Sequence, residues 1–230
     1  MMVAYLRDVF PSSEILVSED GSVDRTVDFV CGLSKTTQRP LIRILSSQRR
    51  MGKGGGVRRG VLAAAGRFLT VVDADLPVQL SSFERAVHEL SKGADIVLGS
   101  RDLQESSRNE PIPRRLLSKG FHMLVRILFQ MDFDTQCGFK AFCRQSTMPL
   151  FRVLSVNSLA YDVELVSLAL RTGLRIVELP VDYRYDLSTS VRLIDIPKMF
   201  LDIVRLRVPR KKPLDEGWHP YLRQPDPESS

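Results

Sequence analysis

An apolar run that ends in two carboxylates one residue apart, Val71-Val72-Asp73-Ala74-Asp75, is the part of this sequence with the clearest chemistry in it. Residues i and i+2 of an extended chain project to the same side, so Asp73 and Asp75 can converge on one site. Carboxylates at a strand end call for a cationic partner, and a hard divalent ion bridging a diphosphate is a natural one. A solvated strand end, with Asp75 opening a turn before Pro77, is the alternative. A second acidic cluster, Ser18-Glu19-Asp20-Gly21-Ser22-Val23-Asp24, follows a shorter apolar run. At the carboxyl end of a parallel strand, Glu19 and Asp20 can accept hydrogen bonds from a nucleobase or ribose. A capped strand-to-helix turn uses the same residue types.

Cations are grouped as well. Met51-Gly52-Lys53-Gly54-Gly55-Gly56-Val57-Arg58-Arg59-Gly60 places glycines and basic side chains at a helix start. There the backbone N–H groups, the helix dipole and Lys53 all favour a phosphate. The segment is not a P-loop, because the Gly-Lys-Ser/Thr ending is absent, and a flexible basic loop is the plainer reading. Arg101 follows another strand, and Arg114, Arg115 and Ser118 open a long apolar helix. The planar guanidinium fork suits phosphate oxygens, and Ser118 lies one turn after Arg114 on the same face. A solvated basic face would use the same residues.

These groups need a scaffold. Runs at 14–18, 41–45, 68–73, 95–100 and 175–185 read as strands, and segments 24–33, 53–65, 81–92 and 161–172 carry helical spacing between them. That alternation predicts an α/β domain built on a mostly parallel sheet flanked by helices. Helix 113–130 is apolar on most of its second half, and segment 193–206 is amphipathic with a basic exit at Arg207, Arg210, Lys211 and Lys212. Both are expected to lie against lipid or to be covered by packing. Residues 1–208 are read as one domain, and the proline- and charge-rich 209–230 as a flexible tail.

In 230 residues no apolar stretch is long enough for a membrane span, and no secretory signal opens the chain. An intracellular protein is therefore expected. The cysteines Cys31, Cys137 and Cys143 are odd in number and lack metal-type spacing, so they read as free thiols. A net charge of +6 favours anionic partners, but the few aromatic residues and the absence of a recognition motif argue against nucleic acid.

Six motifs in order resemble the dolichyl-phosphate hexose synthases, which are inverting family-2 glycosyltransferases: Glu-Asp-Gly-Ser-x-Asp-x-Thr at 19–26, Gly-Lys-Gly-Gly-Gly-Val-Arg-Arg-Gly at 52–60, Asp-Ala-Asp at 73–75, Gly-Ser-Arg at 99–101, Arg-x-x-x-Ser at 114–118 and Asp-Thr-Gln-Cys-Gly-Phe-Lys at 134–140. The last is most similar to the dolichyl-phosphate β-glucosyltransferases, with the mannose synthases next. The resemblance implies a Rossmann-like GT-A fold ending in an amphipathic helix and a nucleotide-diphosphate sugar donor, UDP-glucose or GDP-mannose. It also implies Mg2+ or Mn2+ on Asp73 and Asp75, and transfer to dolichyl or polyprenyl phosphate with inversion at the cytoplasmic face of a membrane. In these terms Glu19, Asp20, Lys53, Gly54 and Asp73 bind nucleotide sugar. Arg101, Arg114, Ser118 and Arg192 hold the acceptor phosphate, and Asp134 and Gln136 orient sugar or phosphate; Asp162 and Glu164 are weaker candidates at the same rim.

The chain also departs from that family. It opens at Met1 inside what should be the helix after a first strand and its nucleobase-binding turn, so that strand is expected to be missing or truncated. Pro77 stands where some mannose synthases have a metal-binding Gln, with Gln79 as a substitute, and the basic residue of the usual Gly-x-Ser-Lys segment is shifted to Arg192. The membrane helices that many relatives carry after this domain are not in the sequence. A truncated or non-catalytic paralogue that binds nucleotide sugar or a partner is the rival expectation.

Overall fold

The computed structural model of the chain describes residues 1–38, 40–76, 78–101, 103, 112–182 and 195–206. In chain order the elements are α1 (Met2–Val9), β1 (Glu14–Ser18), α2 (Thr26–Thr36), β2 (Leu41–Leu45), α3 (Lys53–Ala63), β3 (Phe68–Val72), α4 (Ser81–Ser91), β4 (Ile96–Ser100), α5 (Ile112–Phe129), β5 (Phe139–Cys143), α6 (Arg144–Val153), α7 (Tyr161–Arg171), β6 (Ile176–Pro180) and α8 (Asp195–Leu206). Four of the five anticipated strands begin and end within a residue of expectation; the fifth, β6, is described as a strand only over its first half.

β1 pairs with β2 in parallel, and a separate four-stranded sheet has the order β3-β5-β4-β6. β4 and β6 are parallel, whereas β5 runs antiparallel between β3 and β4. Helices flank parallel strands as expected, and β5 is the strand that sequence reading omitted. Its run Phe-Lys-Ala-Phe-Cys is interrupted by a lysine that is only 2% exposed, so it does not read as an apolar strand.

Alternation along the strands sorts the core. Ile96 and Leu98 of β4 and Phe142 of β5 face α5, α6 and α7, where they meet Val125, Leu150, Phe151 and Leu165. Val97, Phe139 and Ala141 face the other way, toward Phe83 and Leu90 of α4 and the Tyr5 and Phe10 rings beside it. The rings of Phe142 and Phe151 meet edge-on at 5.2 Å. Each fully buried side chain of this size stabilises by about 1.5–3 kcal/mol. Lys140 shares the parity of Phe142, so the pleat carries its ammonium group to the α7 side.

α3 spans the division between the two sheets. Ser18 at the end of β1 donates to the Gly56 carbonyl, and Glu14 at its start accepts from the Ala65 amide. Lys53, in the first turn of α3, reaches Asp73 just after β3. Hence β1 and β3 run in the same direction beneath one helix, yet neither pairs with the other.

Their facing edges can be read from the ladders. Arg144 N donates to Arg67 O and Asp73 N to Gly138 O, so by antiparallel alternation Leu69 and Val71 are bonded to β5 while Thr70 and Val72 turn their N–H groups to the other edge. Glu19 N donates to Leu45 O, which by the same logic turns Leu16 away from β2. The amides of Leu16, Thr70 and Val72 are expected to exchange with solvent deuterium roughly two orders of magnitude faster than those of Leu69 and Val71. Equal protection at Thr70 and Leu69 would show that this edge is paired.

Candidate active site

The carboxyl ends of β1, β3 and β4 and the turn leading into β5 meet along one border of the sheets. At the end of β3, the Lys53 ammonium lies 2.9 Å from Asp73 Oδ1 and 3.1 Å from Oδ2. The pair is partly screened, with side-chain exposures of 29% and 33%. Burial pulls the Lys53 pKa down, but Asp73 and then Asp162 more than offset this and hold it above the ordinary lysine value. Gly138 closes the opposite side, for a Cβ there would collide with the Asp73 carboxylate. Ala74 and Asp75 lie beyond this clamp and are exposed.

The acidic turn after β1 has a different use. Asp20 accepts from Met51 N at 2.6 Å and Gly52 N at 2.9 Å. Glu19 is 5% exposed and accepts from Ser22 N, from the Ser46 hydroxyl and from Ser47 N. Those donors, Ser22 first and then Ser46, lower its pKa to about 2. Both carboxylates therefore stitch the β1 turn to the segment before α3, as hydrogen-bond acceptors filled by the protein itself. The glycine cluster is likewise occupied: Gly54 N and Gly55 N point to the Asn157 carbonyl, at 2.9 and 3.4 Å. A Cβ at Gly54 would strike Tyr161 and the Val156 carbonyl. In this arrangement the Gly54 amide serves close packing against the loop before α7, at the place where sequence alone suggested a phosphate cradle.

Arg101 and Asp134 form a two-pronged pair. Arg101 Nε and Nη2 each lie 2.8 Å from an Asp134 oxygen, and the Arg101 amide donates to the same carboxylate at 3.0 Å. Burial alone would raise the Asp134 pKa, but Arg101 reverses the shift and leaves it below the ordinary value. Glu178 of β6 accepts from Asp134 N and holds the turn in place. Gln136, two residues on, has a buried Nε2 with no hydrogen-bond partner among the described residues, a donor available to a ligand oxygen.

The glycosyl transferase family 2 model matches residues 4–152, which carry the acidic turn, the glycine cluster, the Asp73–Asp75 pair, Arg101 and Asp134. The chain belongs to glycosyl transferase family 2. Over 210 residues it is 34% identical to the dolichyl-phosphate beta-glucosyltransferase of Dictyostelium discoideum, covering 87% of this chain and 64% of that protein. The Saccharomyces cerevisiae protein of the same name is 31% identical, with 90% and 68% covered. The chain thus spans about three fifths to two thirds of the length of these curated relatives. The fold is also similar to glucosyl-3-phosphoglycerate synthase from Mycobacterium tuberculosis, solved with Mn2+, UDP-glucose and glycerol 3-phosphate. That likeness has a TM-score of 0.57 at 17% identity, over 90% of this chain and 76% of that one. The architecture is accordingly the GT-A fold of the family.

Within this family-2 domain, no three His, Cys, Asp or Glu side chains gather as a ready metal cage among the described residues. Asp73 and Asp75 are two strand-end carboxylates, the first held by Lys53. Such a set fits an ion of the Mg2+ type that arrives with phosphate oxygens, which is commonly held by one or two carboxylates. Arg114 and Ser118 fall on the first turns of α5, one helical turn apart; Arg192 and the segment 209–230 lie outside the described residues. Gln79, read as a substitute metal ligand, donates instead to Asp182 at 2.7 Å.

Sequence reading gave no role to Lys140. Its ammonium lies 3.0 Å from Asp162 Oδ1 and 2.6 Å from the Cys137 carbonyl, with side-chain exposures of 2% for Lys140 and 4% for Asp162. The pair fastens the Asp134–Lys140 turn to the first turn of α7. A lysine amid apolar strand residues was the available signal, since a buried charge demands a partner. Glu164 is structural too, accepting from the Ser155 and Val156 amides and the Ser155 hydroxyl. All three cysteines are free, and burial pushes the Cys137 thiol up to about 11.

Proposed function

We propose that this domain transfers glucose from UDP-glucose to dolichyl phosphate with inversion, giving a β-linked lipid phosphosugar. The observation that carries this reading is the similarity to dolichyl-phosphate beta-glucosyltransferases across 87% of the chain. The UDP-glucose bound to the Mycobacterium tuberculosis fold relative supports that donor over GDP-mannose. A divalent metal, Mg2+ or Mn2+, held by Asp75 and Asp73 would neutralise charge on the departing diphosphate.

The protein groups do the rest by placement. A phosphate monoester is already anionic at neutral pH, so its oxygen needs no strong general base to attack the anomeric carbon. Arg101 is fixed in orientation by Asp134, and together with Arg114 and Ser118 on α5 it offers charge and donors to the acceptor phosphate. Gln136 Nε2 supplies a further donor at the same turn.

The acceptor's long chain requires a lipid-facing surface. No described helix is long and apolar enough to cross a membrane. α5 and α8 touch through Phe121 and Phe200, at 6.3 Å between ring centroids. Each also turns apolar side chains outward, Met123 and Ile127 on α5 and Leu201 and Val204 on α8. Peripheral membrane contact through these two helices is part of the proposal. Losing one buried side chain of this size removes about 1.5–3 kcal/mol, so Ile127→Asp is expected to weaken binding to dolichyl-phosphate-containing vesicles at least tenfold. Sedimentation at unchanged affinity would remove α5 from the membrane surface.

The function itself is tested by incubating the protein with detergent-dispersed dolichyl phosphate, Mg2+ or Mn2+, and labelled UDP-glucose or GDP-mannose in parallel. Chelator-sensitive label in the organic phase from UDP-glucose is the expected result. Label from GDP-mannose instead would correct the donor, and none from either with folded protein would reject the activity.

A further inference from the structure

The ion pair at the end of β3 raises a question of charge. Asp73 is the carboxylate that a metal would need, and Lys53 is the cation that a diphosphate would need, yet each already neutralises the other at 2.9 Å. Neither can drift far: a Cβ at Gly138 would strike the Asp73 carboxylate, and Lys53 starts a helix whose next two amides point to the Asn157 carbonyl. We infer that the Lys53–Asp73 pair couples the binding of divalent metal to that of nucleoside diphosphate, each charge staying with its partner until both ligands arrive together. The inference rests on the donor chemistry proposed above.

The physical argument is a comparison of four states. A metal ion entering alone must compete with the Lys53 ammonium for Asp73, and it finds no cage of three or more side-chain ligands among the described residues to compensate. A diphosphate entering alone gains Lys53 but strips Asp73 of its counter-ion and faces two carboxylates, Asp73 and Asp75. Both penalties come from leaving a partly buried charge without its partner. When metal and diphosphate enter together, Asp73 turns to the metal and Lys53 to a phosphate oxygen, so no charge is left alone. Coupling between ligands of this kind is typically 5–150-fold and must be equal in both directions.

The test is binding without turnover. Protein-bound Mn2+ is measured by equilibrium dialysis, with and without saturating UDP present on both sides of the membrane so that Mn2+ held by UDP in solution cancels, in wild type, Lys53→Met and Lys53→Arg. In wild type, UDP is expected to tighten Mn2+ at least tenfold, within the usual range for coupled sites. In Lys53→Met, Mn2+ alone should bind more tightly than in wild type, and the help from UDP should be at least about threefold smaller than in wild type, leaving the part that comes from direct metal–diphosphate contact; Lys53→Arg should restore the difference. Thermal melts without ligand establish that each variant is folded, and Lys53→Gln replaces the methionine variant if it is not. Coupling unchanged in folded Lys53→Met, or absent in wild type that binds both ligands, overturns the inference and leaves the proposed function standing. Failure of wild type to bind either UDP or Mn2+ overturns both.

Discussion

Asp75→Ala is expected to lower glucosyl transfer by at least two to three orders of magnitude, the usual effect of removing one group that stabilises charge in a transition state. A thermal melt of the variant separates loss of the site from loss of the fold. Asp75 is exposed just past the end of β3, and the turn it sits in is closed by backbone, with Leu76 N donating to Asp73 O at 2.9 Å. Asp73→Ala is a poorer probe, because it also unpairs Lys53 and opens space beside Gly138. Transfer by Asp75→Ala at the wild-type rate would remove the metal assignment from this strand end. A loss that excess Mn2+ partly reverses would support it.

The contrast between Asp75 and the acids at 19 and 20 shows what a sequence can and cannot carry. Each stands at a strand end and is of the type expected to meet a ligand. Only the folded chain reveals that Glu19 and Asp20 are filled by donors about thirty residues away, at Ser46, Ser47, Met51 and Gly52. Local spacing encodes the direction of a side chain, so the border of the sheet was legible from alternation alone. It does not encode which distant amide comes to meet that side chain. The surroundings of Gly54 were hidden for the same reason: the carbonyl that its amide meets belongs to Asn157, in a loop whose position depends on Glu164 and Tyr161. Arg101 and Asp134 were both expected to hold ligand, from motifs 33 residues apart. Their mutual two-pronged contact makes Asp134 the residue that orients Arg101 as well.

β5 is the strand that was omitted, and the cause of that leads to the second large effect. A strand holding Lys140 looks half-solvated in sequence, yet Lys140 and Asp162 are almost fully buried together, 3.0 Å apart. Removing one member of such a pair leaves the other's charge without compensation and costs about 3–5 kcal/mol. Lys140→Met should therefore lower the melting temperature by roughly 10 °C for a chain of this length. The loss should depend on pH in a defined direction. Burial already raises the Asp162 pKa in the folded state, against the pull of Lys140 and Lys53, and removing Lys140 raises it further. A carboxyl with a raised folded-state pKa destabilises only above its unfolded value, so the deficit of Lys140→Met should be small below about pH 4 and grow as pH rises. Adding Asp162→Leu removes the stranded charge and should recover most of the stability, since apolar replacements of buried pairs are often neutral or better. Transfer activity should not recover with it, because the turn from Asp134 to Lys140, which carries Gln136 and buttresses Asp73 through Gly138, is tied to α7 by that pair. Denaturant melts and transfer rates on the single and double variants separate the two roles. If stability and activity return together, the pair serves the fold alone; if only stability returns, it positions the site.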